Sequence, residues 1–215
     1  MRVVLPRWSP DGKRIVFTAG MPGKGIKTYL VSAAGGAPQK ITAEGRNEGD
    51  PNWSPDGNSL VFWASSSWPP GSDLAIDILD LRTNKVSVVP GSEGLFSPHW
   101  SPDGRYIAAL RSRGVGSMLF DFKTQKWVEL DNRPAAFPNW SRDGSHVYFH
   151  SSGSDAALYR VRISDRELEK IASLTGIRLT IGVVGTWCGL APDDSPLILR
   201  DVGSQEIYAL DLQLP

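Results

Sequence analysis

Few side chains in this sequence have the type and spacing needed for covalent or metal chemistry. The three histidines are His99, His146 and His150, and the one cysteine is Cys188. Zinc takes four such ligands at short paired spacings, and these residues do not supply them. His146 and His150 fall at the two ends of one expected strand, on the same face but too far apart to share an ion. Asp11, Asp56, Asp103 and Asp143 recur singly, without the dense Asp-x-Asp pattern of a calcium loop. No Gly-x-Ser-x-Gly elbow occurs. Gly23-Lys24-Gly25 lacks both the spacing and the hydroxyl residue of a phosphate loop. Cys188, beside Trp187, has the chemistry of a nucleophile. It lies in an expected strand, however, where a buried thiol behaves as a small apolar residue. The reading is therefore non-enzymatic, with no catalytic residue, no metal and no cofactor.

Recognition chemistry is better represented. Arg7, Asn52, His99 and Asn139 each stand just before a repeated Trp, so they occupy equivalent places and could form a polar ring about a central channel. The alternative is that each pairs with nearby backbone or water. Glu48, Asp50, Arg111, Arg113 and Trp187 are expected on loops that add contacts, because exposed aromatics beside arginine are typical anchors of partner surfaces. Trp68 sits in Ser65-Ser66-Ser67-Trp68-Pro69-Pro70-Gly71 and is the leading candidate for a recognition aromatic. Its alternative is to pack under its own loop. Arg7, Glu48, Asp50, Trp68, His99, Arg111, Arg113, Asn139 and Trp187 form the candidate ligand-binding set.

A repeat has to position them. Trp8-Ser9-Pro10-Asp11-Gly12 returns as Trp53-Ser54-Pro55-Asp56-Gly57 and as Trp100-Ser101-Pro102-Asp103-Gly104. It recurs with one change as Trp140-Ser141-Arg142-Asp143-Gly144, and degraded as Leu190-Ala191-Pro192-Asp193-Asp194. The steps between copies are 45, 47, 40 and 50 residues. That period, with strand-like sequence between copies, indicates a β-propeller of four-stranded blades. Each Ser-Pro-Asp-Gly reads as a hairpin turn: Pro presets φ, Asp bonds back to amides, and Gly accepts positive φ. In the second unit, 59–63, 74–81 and 86–89 follow as strands by β-branched and aromatic content. The other units repeat the plan, ending with 197–200 and 207–210. Trp8, Trp53, Trp100 and Trp140 are expected to pack between blades, where each ring buries about 150–250 Å².

Five four-stranded blades are thus expected in one all-β domain, 1–215, with repeats near 1–45, 46–92, 93–132, 133–175 and 176–215. The last unit lacks a plain fourth strand. Either Met1–Leu5 is pressed into that place as a clasp, or the ring is incomplete or part of a larger one, whose open edges would favour association. Lys plus Arg and Asp plus Glu are 23 each, which removes the electrostatic footprint of a direct nucleic-acid binder. The apolar runs are short of a membrane span. A single cysteine forbids an intrachain disulfide; it suits a reducing compartment and leaves the periplasm open.

The repeated phrases resemble the TolB-type propeller, a WD-repeat-like family with a Pro-Asp signature, from Pro6 to Leu212. The stretches 91–98, 155–165, 189–197 and 200–210 are similar to the C-terminal propeller of acidobacterial regulators headed by a winged-helix (CadC-like) or serine/threonine kinase domain. That resemblance implies a sensory or scaffolding platform binding a protein, peptide or small ligand on its loop face. The alternatives it leaves are an accessory propeller of an oligopeptidase or kinase, and a periplasmic TolB-like envelope protein.

Overall fold

The computed structural model describes residues 2–20, 25–42, 45–71, 73–113, 115–152, 155–182 and 185–204. The expected strand at 207–210, and Gly23 and Lys24 of the glycine-rich triplet, lie outside them.

Four antiparallel meanders account for most of the chain. Blade 1 is β1 (Arg2–Trp8), β2 (Arg14–Gly20), β3 (Ile26–Ser32) and β4 (Gln39–Lys40). Blade 2 is β5 (Asn47–Trp53), β6 (Ser59–Ser65), β7 (Ala75–Asp80) and β8 (Lys85–Val88). Blade 3 is β9 (Leu95–Trp100), β10 (Tyr106–Arg111), β11 (Ser117–Asp121) and β12 (Lys126–Asp131). Blade 4 is β13 (Ala136–Trp140), β14 (His146–Ser151), β15 (Ala157–Arg162) and β16 (Leu168–Ser173). Two short hairpins follow: β17 (Ile181–Gly182) with β18 (Gly185–Thr186), and β19 (Cys188–Leu190) with β20 (Pro196–Ile198). The all-β propeller is as expected, but the described fifth unit is only this β19–β20 pair. Arg2–Trp8 is the first strand of blade 1, paired to β2, so the N-terminus is not a clasp completing the last blade.

The turn chemistry is local and repeats. Ser9 Oγ donates to Asp11 Oδ1 at 2.5 Å, and Lys13 N donates to the same oxygen at 3.1 Å. Gly12 N closes the turn on Ser9 O with φ +69°. The serine-to-aspartate bond recurs at Asp56, Asp103 and Asp143, at 2.6–2.7 Å. The turn aspartates are thus turn formers. In the degraded copy Asp193 still accepts from Ser195 N, and Asp194 takes the glycine's left-handed place at φ +63°.

Each first strand also carries a bulge at one fixed place. The ladder slips between Val4 and Arg7, between Gly49 and Asn52, and between Ala136 and Asn139; in blade 3 the slip falls between Phe96 and His99. The residue three before each Trp has positive φ: Leu5 53°, Asp50 49°, Ser97 51° and Phe137 52°. Pro6, Pro51, Pro98 and Pro138 follow them directly. Proline has no N–H for a ladder and is confined to such interruptions.

The core lies between blades rather than within one centre. Leu60 and Phe62 face blade 1 with Val16, while Val61, between them, faces blade 3 with Ile107. Val147 and Phe149 pack on Ala108 and Leu119, and Cys188 packs on Leu158. The repeated turns abut as well. A methyl group at Gly57, Gly104 or Gly144 would come within 3.3–3.6 Å of the proline of the preceding turn.

The tryptophans divide. Trp53 is buried; its Nε1 donates to Arg7 O at 3.1 Å, and the Arg14 guanidinium lies 4.7 Å over the ring. Trp140, half-buried, donates to His99 O and stacks on Tyr106. Trp100, also half-buried, stacks on Phe122 of its own blade and packs against the blade 2–3 core that holds Val61 and Ile107. Trp8 is 61% exposed, which corrects the expectation that all four are inter-blade. No described blade lies on its side of blade 1, and Gly12 likewise has nothing against it.

Candidate functional site

The bulges aim one residue per blade at the hub. Leu5, Asp50, Ser97 and Phe137 all line a cavity of about 740 Å³ at its centre. Residues two places further along enter a second, adjoining cavity of about 450 Å³, lined by Arg7, His99 and Asn139 together with Trp187 and Cys188. Of the four polar positions flagged by the repeat, Arg7, His99 and Asn139 line this cavity and Asn52 lines neither.

Three blades supply one buried cluster there. Arg7 Nη2 donates to Asp50 Oδ1 at 2.8 Å and to His99 Nε2 at 3.0 Å. Guanidinium has no lone pair to offer, so Nε2 must be the acceptor and His99 carries its proton on Nδ1. Ser97 Oγ donates to Asp50 Oδ2 at 2.5 Å, and Asp50 N donates to Thr18 Oγ1. Burial is the largest influence on Asp50 and raises its pKa, but the Arg7 charge and the Ser97 hydrogen bond outweigh it and leave the carboxyl below its usual range. Burial first, and then the Arg7 charge, push His99 down to about 3. The imidazole is accordingly neutral at pH 7. Asn52 and Asn139 follow the plainer alternative of pairing with backbone: Asn52 Oδ1 accepts from Trp100 N at 2.9 Å, and Asn139 Nδ2 donates to Phe137 O at 2.7 Å.

Aromatic rings wall the larger cavity. Trp63 and Trp68 stack with centroids 6.5 Å apart and planes within 9°. Trp63 is closely backed by Gly49, where a methyl group would stand 2.6 Å from the ring. Trp68 is 55% exposed. Its loop is tied down behind it: Ser65 Oγ donates to Asp73 Oδ1 at 2.8 Å, Ser66 N donates to Asp73 Oδ2, and Gly71 N donates to Ser65 Oγ. These hydrogen bonds, the Ser66 amide first, hold the Asp73 carboxyl at about 2. Phe96 and Phe137 add to the wall, and Phe137 stacks on His150, whose Nε2 bonds Thr186 O at 2.8 Å.

The remaining candidates lie elsewhere. Glu48 and Asp50 are strand residues of β5, not loop residues, because the inner strand begins earlier than expected. Glu48 is buried, paired with Lys27 Nζ at 3.3 Å and accepting from Thr42 Oγ1, so it does not face a ligand. It belongs to a buried ionic group between blades 1 and 2 with Arg46 and Asp77, which are 2.7 Å apart. Burial, above all, raises the Asp77 pKa. Arg111 pairs with Glu129 at 3.1 Å beside a cavity of about 160 Å³. Arg113 is exposed on the bend after β10. Cys188 is buried on β19, and burial pushes its thiol up to about 12. Among the described residues no His, Cys, Asp and Glu cluster could hold a metal ion.

Sequence reasoning missed Ser97, Phe96, Phe137 and Trp63. For Ser97 and Phe137 the recurrent proline two places before each Trp was the available signal, because it marks the bulge that turns the preceding residue inward.

The architecture is that of a TolB-like β-propeller. No family model matches the chain. It is 38% identical over 168 residues to the "Uncharacterized peptidase YuxL" of Bacillus subtilis, and 28% identical over 154 residues to the "Uncharacterized protein Atu1656" of Agrobacterium fabrum. The matched regions are 78% and 66% of this chain but 18% and 50% of those relatives, so the chain spans half their length or less. TolB from Acinetobacter baumannii superposes with a TM-score of 0.68 at 22% identity, over 90% of this chain and 52% of that one. At that identity the likeness concerns the fold alone.

Proposed function

We propose that this chain is a non-enzymatic binding propeller whose hub cavity receives a ligand with a flat apolar face. One observation carries the reading: an aromatic-walled cavity of about 740 Å³ stands on a floor where Arg7 and Ser97 engage both Asp50 oxygens and Arg7 engages His99 Nε2. A pocket of this size, mostly apolar with few convergent polar groups, is the usual form of a small-ligand or peptide site. General acid–base catalysis needs a group titrating near the working pH. Asp50 is held low, His99 is neutral with its lone pair engaged, and the Cys188 thiol is suppressed. In its finer form the proposal makes the propeller the sensory or protein-interaction part of a multidomain bacterial regulator, as the sequence resemblance implies.

A second reading is favoured by the 38% identity to a relative named a peptidase. On that reading the propeller is accessory to a hydrolase domain, and its cavity admits peptide.

Titration of the purified chain with N-acetyltryptophanamide and with short apolar peptides, followed by intrinsic fluorescence, tests the proposal. A saturable change abolished by Trp68→Ala, with the circular dichroism of the fold retained, is expected. Strong selection of peptides over the free aromatic compound favours the accessory reading. No saturable change with either probe refutes the binding role, and peptide hydrolysis by the purified chain refutes the non-enzymatic one.

A further inference from the structure

We infer that the hub cavity selects an aromatic carboxylate, with the planar group lying against Trp68 and the anionic end on Arg2. This rests on the binding role proposed above. Two charged side chains line the cavity, Asp50 and Arg2. The first is spent: one Asp50 oxygen accepts from Arg7 and the other from Ser97. The second is not. Among the described residues no hydrogen bond or ion pair engages Arg2. It is the first residue of the β1–β2 ladder, opposite Gly20, so it stands at the cavity rim where small residues leave room around it.

The chemistry of the occupant follows from what is unspent. A cation finds no free carboxylate, because Asp50 is already paired inside the protein. A neutral apolar molecule would satisfy Trp63, Trp68, Phe96 and Phe137 but leave the Arg2 charge idle. One guanidinium fork matches one carboxylate through two parallel N–H···O bonds. The Trp68 ring stacks on Trp63, and its loop is tied down by the Ser65–Asp73 and Ser66–Asp73 hydrogen bonds, so its face is presented before the ligand arrives and little ordering cost remains. The carboxylate can be that of a free aromatic acid or the C-terminus of a peptide ending in an aromatic residue.

Calorimetry at low salt with indole-3-propionate and its amide, and with a tetrapeptide ending in Phe as free acid and as amide, tests the inference. The acid is expected to bind about tenfold more tightly than its amide, the range of one charge-assisted hydrogen-bonded contact. Arg2→Gln should remove that preference while leaving amide affinity unchanged, and Trp68→Ala should weaken acid and amide together. Preference seen with both acids, or with one of them, identifies the source of the carboxylate. Equal binding of acid and amide, or a preference that survives Arg2→Gln, refutes the carboxylate inference alone. Absence of binding by all four probes refutes the cavity's binding role with it.

Discussion

Acid should weaken this propeller well above the carboxylate range, and His99 is the reason. In the folded chain its pKa is about 3, against an ordinary value of 6.5. A histidine depressed on folding favours the folded state when neutral. The stabilisation is complete above pH 6.5 and is lost as pH falls toward 3, because the unfolded chain takes up a proton that the folded chain refuses. At pH 5 the unfolded imidazole is about thirtyfold more often protonated than not, while the folded one stays neutral, a difference of about 2 kcal/mol. Little of this is lost at pH 7. The assay is urea unfolding at pH 7 and pH 5, compared between the wild type and His99→Gln. Glutamine still offers Arg7 an acceptor oxygen but cannot bind a proton. The wild type should lose about 2 kcal/mol more than the variant over that interval. Parallel losses in the two proteins would show that His99 is not held neutral by burial beside Arg7, and the account of the hub would fall.

The repeated tryptophans should respond unequally. Trp53→Ala, in the blade 1–2 layer, is expected to cost about 3–5 kcal/mol in chemical unfolding, whereas Trp8→Ala should stay within about 0.5 kcal/mol because the ring is largely in water. Equal costs would contradict the exposure of Trp8. Gly49→Ala places a methyl group 2.6 Å from Trp63. It should cost about 1–3 kcal/mol and alter the near-ultraviolet signal of the stacked Trp63–Trp68 pair, while an unchanged spectrum would mean that the stack does not depend on that contact. Cys188, raised to about 12 and buried, should resist iodoacetamide at pH 8 until the chain is unfolded, and rapid labelling of native protein would place the thiol at the surface instead.

The sequence by itself determined the repeat, the turns and most strands. That information is written within a few residues: in Ser9-Pro10-Asp11-Gly12 the serine, the aspartate and the left-handed glycine complete one another's hydrogen bonds locally. Even the degraded copy at Asp193-Asp194 keeps that geometry for the same reason. The recurrent prolines before each Trp also recorded the bulges, although propensity alone does not assign positive φ to Leu5 or Phe137. The tertiary structure decided what those bulges point at. Arg7 meets Asp50 and His99 across 43 and 92 residues of chain, and no local pattern can say which side chains face one another across a hub. Trp8 and Trp53 stand in the same five-residue phrase, yet one is exposed and the other buried. Burial of a blade's face depends on whether another blade lies against it, and that is a property of the ring rather than of the phrase.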